Sequence, residues 1–151
     1  MSNTPPVEKT LDGKILQEKI FSNLIPLDEL SFYERYAVFM GKAQIVEFAL
    51  KGLLIKKYNH DEESLEKCTL GAAIAKLETA GLRGDFIHIL KELNKYRISM
   101  AHGFLADYSM GTTLIGEKYQ SFSEKELRHA LYSVEQVILV HDFLMENNLF
   151  N

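Results

Sequence analysis

Residues 38–55 read VFMGKAQIVEFALKGLLI. Val38, Phe39, Ile45, Val46, Phe48, Leu50, Leu53 and Leu54 spread around a helical wheel, and a helix apolar almost all round is the central one of a bundle. The pattern extends this helix from about Asp28 to Tyr58. Its best apolar run, IVEFALKGLLI, is interrupted by Glu47 and Lys51 and does not reach the ~18 residues that a membrane span needs. Gly41 and Gly52 weaken a helix, and the expected compensation is close packing of a neighbouring helix against them.

Towards the N-terminus, Leu16, Ile20 and Leu24 recur every four residues and predict a helix over 7–24, which Pro26 stops. Residues 1–6 read as a loose tail. Towards the C-terminus, NHDEES is a polar loop, Thr69 caps the helix LGAAIAKLETA, and Gly81 ends it. The next helix runs from about Asp85 to His102, with Phe86, Leu90, Leu93, Arg97 and Met100 on one face and Gly103 as its stop. Residues 107–122 hold Gly111, Gly116 and the β-formers Thr112, Thr113, Ile115 and Tyr119, which predict a small hairpin or irregular excursion. Ser123 and Glu126 form a capping box for a last helix whose core stripe is Leu127, Leu131, Val134, Ile138 and Met145. The expected fold is all-α: an up-down bundle of four or five helices, one domain over residues 7–151.

The whole chain has 151 residues, 46% hydrophobic and 25% charged, which is the composition of one globular domain rather than a disordered chain. A net charge of -4 argues against coating nucleic acid non-specifically, since that needs many Lys/Arg–phosphate contacts. Cys68 is the single cysteine, so an internal disulfide and the cysteine-rich zinc sites are excluded on count. The start, MSNTPPVEKT, lacks the basic and apolar regions of a signal peptide. A cytoplasmic protein with no membrane partner is expected.

Chemistry concentrates in KYRISMAHGF, residues 95–104. Arg97 and His102 flank four residues, giving RxxxxH. Arginine offers phosphate a permanent charge and a bidentate fork, and histidine exchanges a proton near neutral pH. The two are suitable for phosphodiester cleavage without a metal: the cation holds the phosphate and the imidazole moves protons. A five-residue step turns about 140° around a helix. One regular helix therefore does not aim both groups at one spot; either the helix ends between them or a symmetric dimer brings two copies together. Arg97 also occupies a place where the apolar stripe calls for a leucine, and such local violations concentrate at functional sites. The structural alternative is that Arg97 lays its stem along the core and pairs with a carboxylate such as Glu47, while His102 caps its helix.

With GKAQIVEFALKGLL, TLGAAI and KYRISMAHGF in this order, the chain resembles the HEPN family (higher eukaryotes and prokaryotes nucleotide-binding). The resemblance implies a helical domain that forms a homodimer, with the RxxxxH motifs of two copies making one cleft. It implies a metal-independent endoribonuclease of the kind found in toxin–antitoxin pairs and phage defence, or a silent module that binds a protein partner as an antitoxin, immunity or adaptor protein does. On that resemblance Arg97 and His102 are the catalytic pair and RNA the substrate, without cofactor or metal. Asn94, Lys95 and Ser99 are candidate substrate contacts, with Tyr96 at the rim. The chain departs from the family pattern at Ile98, where a polar residue is common and Ser99 is the nearest replacement. It departs again at Phe104, where some members carry a nucleotidyl-accepting tyrosine; control by that route is not expected.

Other constellations carry less. Asp85-x-x-His88 and Glu126-x-x-His129 mimic di-iron spacing, but each opens its own helix, and antiparallel neighbours would hold them about 25 Å apart. Gly81-Leu82-Arg83-Gly84 reads as a turn between helices, not a phosphate loop. Cys68 reads as a structural or incidental thiol. No GxSxG elbow is present, and Tyr33, Tyr36 and Tyr58 read as core-edge residues.

Overall fold

Asp12, Ser31, Asp61 and Thr69 each stand just before a helix, in extended backbone, and accept hydrogen bonds from its first free N–H groups. These caps divide the first half of the chain. The computed structural model describes residues 10–151, except the side chains of Tyr119 and Gln120. The helices are α1 (Gly13–Leu24), α2 (Phe32–Tyr58), the single turn α3 (Glu62–Leu65), α4 (Leu70–Ala80), α5 (Gly84–Ala101), α6 (Phe104–Leu114) and α7 (Glu117–Asn147). Among the described residues there is no strand, and no helix is long and apolar enough to cross a membrane. The expected tail lies outside the described residues. So does the expected helix start at Val7; Asp12 caps α1 five residues later.

Pro26 lies in a 3₁₀ turn, Ile25–Glu29, and α2 begins only at Phe32. Ser31 and Glu34 make a reciprocal capping box there: the Glu34 N–H donates to Ser31 Oγ at 3.1 Å, and the Ser31 N–H donates to Glu34 Oε1 at 3.2 Å. Gly81 ends α4 with φ of 99°, a conformation that costs other residues a Cβ clash. The turn that follows is fastened by Arg83. Its backbone N–H donates to Phe150 O at 2.9 Å and its guanidinium to Leu149 O at 3.1 Å. The same guanidinium grips Asp85 through two bonds, holding that carboxyl below the usual carboxylate range.

Two expectations are corrected. Residues 107–122 are not a hairpin or an irregular excursion, because α6 and the first turns of α7 occupy them. Phe104, Tyr108 and Gly111 fall on one helical face, and the rings of Phe104 and Tyr108 stack on Phe32 and Tyr36 of α2. The Phe32–Tyr108 rings lie 3.8 Å apart at 7°. Packing of this face outweighs the β preference of Thr112 and Thr113, a difference of ~1 kcal/mol at most per residue. Ser123 accordingly opens no helix; it is buried inside α7.

The second correction concerns the centre of the bundle. It is α7, 31 residues long, that packs against α1, α2, α5 and α6. One side of α2 is buried through Phe39, Ala43, Val46, Leu50 and Leu54, while Ile45 and Phe48 on the other side are 64% and 80% exposed. Among the described residues nothing comes within 4 Å of the position of a Cβ on Gly41 or Gly52, so the expected close helix packing against them is not seen there.

Candidate active site at the end of the fifth helix

Buried Phe86, Ile87, Leu90, Leu93 and Met100 fix the rotation of α5 against the core. Asn94 is thereby turned towards α4, where its Nδ2 lies 3.0 Å from the position that a Cβ on Gly71 would take. Arg97 follows Leu93 and Asn94 by one helical turn and so shares their side of α5. It is half-buried. Among the described residues its guanidinium makes no ion pair or hydrogen bond. The pairing with Glu47 considered above is absent: Glu47 faces Lys51 at 3.8 Å. The guanidinium of Arg35, by contrast, meets Glu124 at 2.7 Å.

His102 is the first residue beyond α5, with φ of -103° and ψ of 56°. Its N–H donates to Ile98 O at 3.2 Å and to Ser99 O at 3.3 Å. His102 thus still follows the path of α5, about 140° round from Arg97, and the helix end does not by itself aim the two side chains at one spot. The His102 side chain is exposed. Gly103, at φ of 90°, then turns the chain into α6. Phe104 points inward, 7% exposed, against Phe32 and Tyr36. Phe104 is therefore part of the aromatic core. Tyr36 Oη donates to Met100 O at 2.8 Å and fastens the end of α5 to the start of α2.

The remaining candidates divide between two sides. Lys95, exposed Ile98 and His102 succeed one another at spacings of three and four along the outer side. Lys95 and Ser99 also line a shallow cavity of about 330 Å³ with Tyr96 and the carboxylates Glu92 and Glu126. Ser99 Oγ donates to Glu126 Oε1 at 3.0 Å. Asn94 and Arg97 are thus brought together, whereas Ser99 is turned to α7 and held by an acid.

Sequence reading missed two polar anchors. Glu135, 3% exposed, accepts from Lys42, and Asn23 Nδ2 donates to it at 3.4 Å, so α1, α2 and α7 meet at one carboxylate. Arg35 and Glu124 border a larger groove of about 730 Å³ between α1 and α7, floored by Leu24, Leu27 and Leu131, with Arg128 and His129 at its edge. The signal was available: Arg35-Phe39-Lys42 and Glu124-Leu127-Leu131-Glu135 place charges at stripe spacing on both helices.

No family model matches this chain, and no match was found among curated proteins or solved structures.

Proposed function

We propose that the chain is a HEPN-like bundle that cleaves RNA without a metal, using Arg97 and His102 from each of two copies. The observation that carries this reading is Arg97, a half-buried residue whose guanidinium makes no ion pair or hydrogen bond among the described residues. The guanidinium keeps contact with solvent, and a phosphate would meet its uncommitted donors in bidentate form. His102 stands one residue past the helix end and is exposed. In the reaction the RNA 2′-hydroxyl attacks the adjacent phosphorus and the bond to the 5′-oxygen breaks. His102 takes the proton from the nucleophile or delivers one to the leaving oxygen, and Arg97 balances the charge that gathers on the phosphate. Asn94, on the same side as Arg97, is the nearest additional phosphate contact.

A second reading, a non-catalytic module that binds a protein partner, is favoured by one specific observation: Glu92 and Glu126 flank Lys95 and Ser99, and carboxylates there repel phosphate. RNA cleavage in EDTA separates the two. Cleavage by the wild type, lost in Arg97→Ala and His102→Ala variants that retain their helical circular dichroism, supports the nuclease. Absence of cleavage across several RNAs rejects it and leaves the module.

A further inference from the structure

We propose that the outer face of α2 is a self-association surface, on which a second copy of the chain lays its own α2 antiparallel. Gly41, Ile45, Phe48 and Gly52 are spaced by four, three and four residues and form one stripe opposite the buried side. Ile45 and Phe48 are large and exposed, and the acidic turn α3 borders the stripe at Phe48 and Gly52 without covering it. Gly41 and Gly52 weaken the helix, and among the described residues nothing comes within 4 Å of where a Cβ on either would stand. A role in closing on another helix accounts for both facts at once.

The order of sizes identifies the occupant. Small–large–large–small reads the same in both directions about a point between Val46 and Glu47. A two-fold interface demands this, because each residue i that contacts j is matched by j contacting i. With the axis at that point, Gly41 of one copy meets Gly52 of the other, and the backbones approach while Ile45 and Phe48 of both copies fill the centre. Lys56 then comes within side-chain reach of the partner's Glu34, an opposite charge at the flank of the seam. The stripe from Ala37 to Ile55 is about 28 Å long, so the contact lies at the small end of specific interfaces and micromolar association is expected.

This surface is distinct from the RxxxxH cleft. The Tyr36–Met100 bond sets the end of α5 beside the start of α2. An axis at Val46–Glu47 therefore holds the two motifs about 30 Å apart along the helix direction. The inference does not depend on the nuclease reading.

Sedimentation equilibrium of the full chain tests it, at up to about 100 µM. Phe48→Asp is expected to halve the mass of the wild-type assembly. Gly41→Leu, which no described residue within 4 Å of the added Cβ obstructs, is expected to weaken association at least tenfold while circular dichroism stays unchanged. Disulfide trapping reads the register: in a Cys68→Ser background, Ala37→Cys mixed with Ile55→Cys yields a linked dimer. Each variant alone yields none, because the two-fold separates identical positions by more than about 20 Å. A wild type that stays monomeric, or one whose mass Phe48→Asp leaves unchanged, overturns the proposal and leaves the face to a protein of another sequence. Linkage in either single-cysteine variant overturns the antiparallel register. RNA cleavage is read separately: its absence in wild type counts against the α5 site and leaves this surface untouched.

Discussion

The two sides of α2 are built from the same kinds of residue and have opposite fates. Phe39, Val46, Leu50 and Leu54 are enclosed by other helices, whereas Ile45 and Phe48, one or two residues away, face outward. Composition therefore does not separate the inside of this helix from its outside. What separates them is the supply of neighbours. The buried side has α4, α5 and α7, whereas among the described residues the outer side has beside it the single turn α3, which borders Phe48 and Gly52 and leaves Phe48 80% exposed. A helix whose apolar residues encircle it has more sticky surface than a chain of this size can cover, and the surplus is available for association.

The comparison breaks most sharply on stability. Leu50 is fully buried, and Leu50→Ala should cost about 2–5 kcal/mol through lost transfer energy and the cavity left behind. Phe48→Ala removes a larger side chain, yet in a chain diluted to monomer it should change stability by less than about 0.5 kcal/mol. Urea unfolding at low protein concentration checks both. Equal losses would mean that the outer face is covered within one chain.

The lysines of α2 extend the contrast to charges. Lys42 serves the nearly buried Glu135, whereas Lys51 pairs with Glu47 at the longer distance of 3.8 Å. Glu135→Ala also removes the acceptor used by Asn23. It should cost about 1–3 kcal/mol, less than a fully enclosed pair because Lys42 keeps some access to water. Glu47→Ala should cost under about 1 kcal/mol. Thermal melts of the two variants rank them, and a larger loss in Glu47→Ala would reverse the assignment of inner and outer ion pairs.

The same contrast explains what the sequence could disclose. The caps at Thr69 and Gly81, the last buried turn of α5 and the all-helical class follow from local chemistry, and local chemistry is written in the chain. The apolar circumference of α2 was equally visible, but it says only that the helix has more to bury than one side. Which helix takes the centre depends on lengths and packing, and α7 took it because residues 117–122 joined it instead of forming a hairpin. There the decisive contacts, Phe104 and Tyr108 on Phe32 and Tyr36, cross some 70 residues of chain. Arg97 and His102 were legible as a pair by spacing. The acid that captures Ser99 was not, since Glu126 was read as a helix cap and its true partner sits on another helix.

The smallest effect separates glycines. At Gly41 an added Cβ meets nothing within 4 Å, so Gly41→Ala should stabilise the diluted chain by about 0.5–1 kcal/mol through helix propensity alone. At Gly71 the added Cβ meets Asn94 Nδ2 at 3.0 Å, tighter than an ordinary contact. The Asn94 side chain is able to swing aside, so the gain in propensity and the cost of displacement should nearly cancel, leaving Gly71→Ala within about 0.5 kcal/mol of wild type. Its consequence is expected in function instead. Asn94 stands one turn from Arg97, and on the proposed nuclease reading moving it should weaken RNA cleavage several-fold while Gly41→Ala leaves cleavage alone. Parallel unfolding and cleavage measurements on the two variants check this, and a Gly71→Ala protein as active as wild type would remove Asn94 from the site and leave Arg97 without its neighbour on that side.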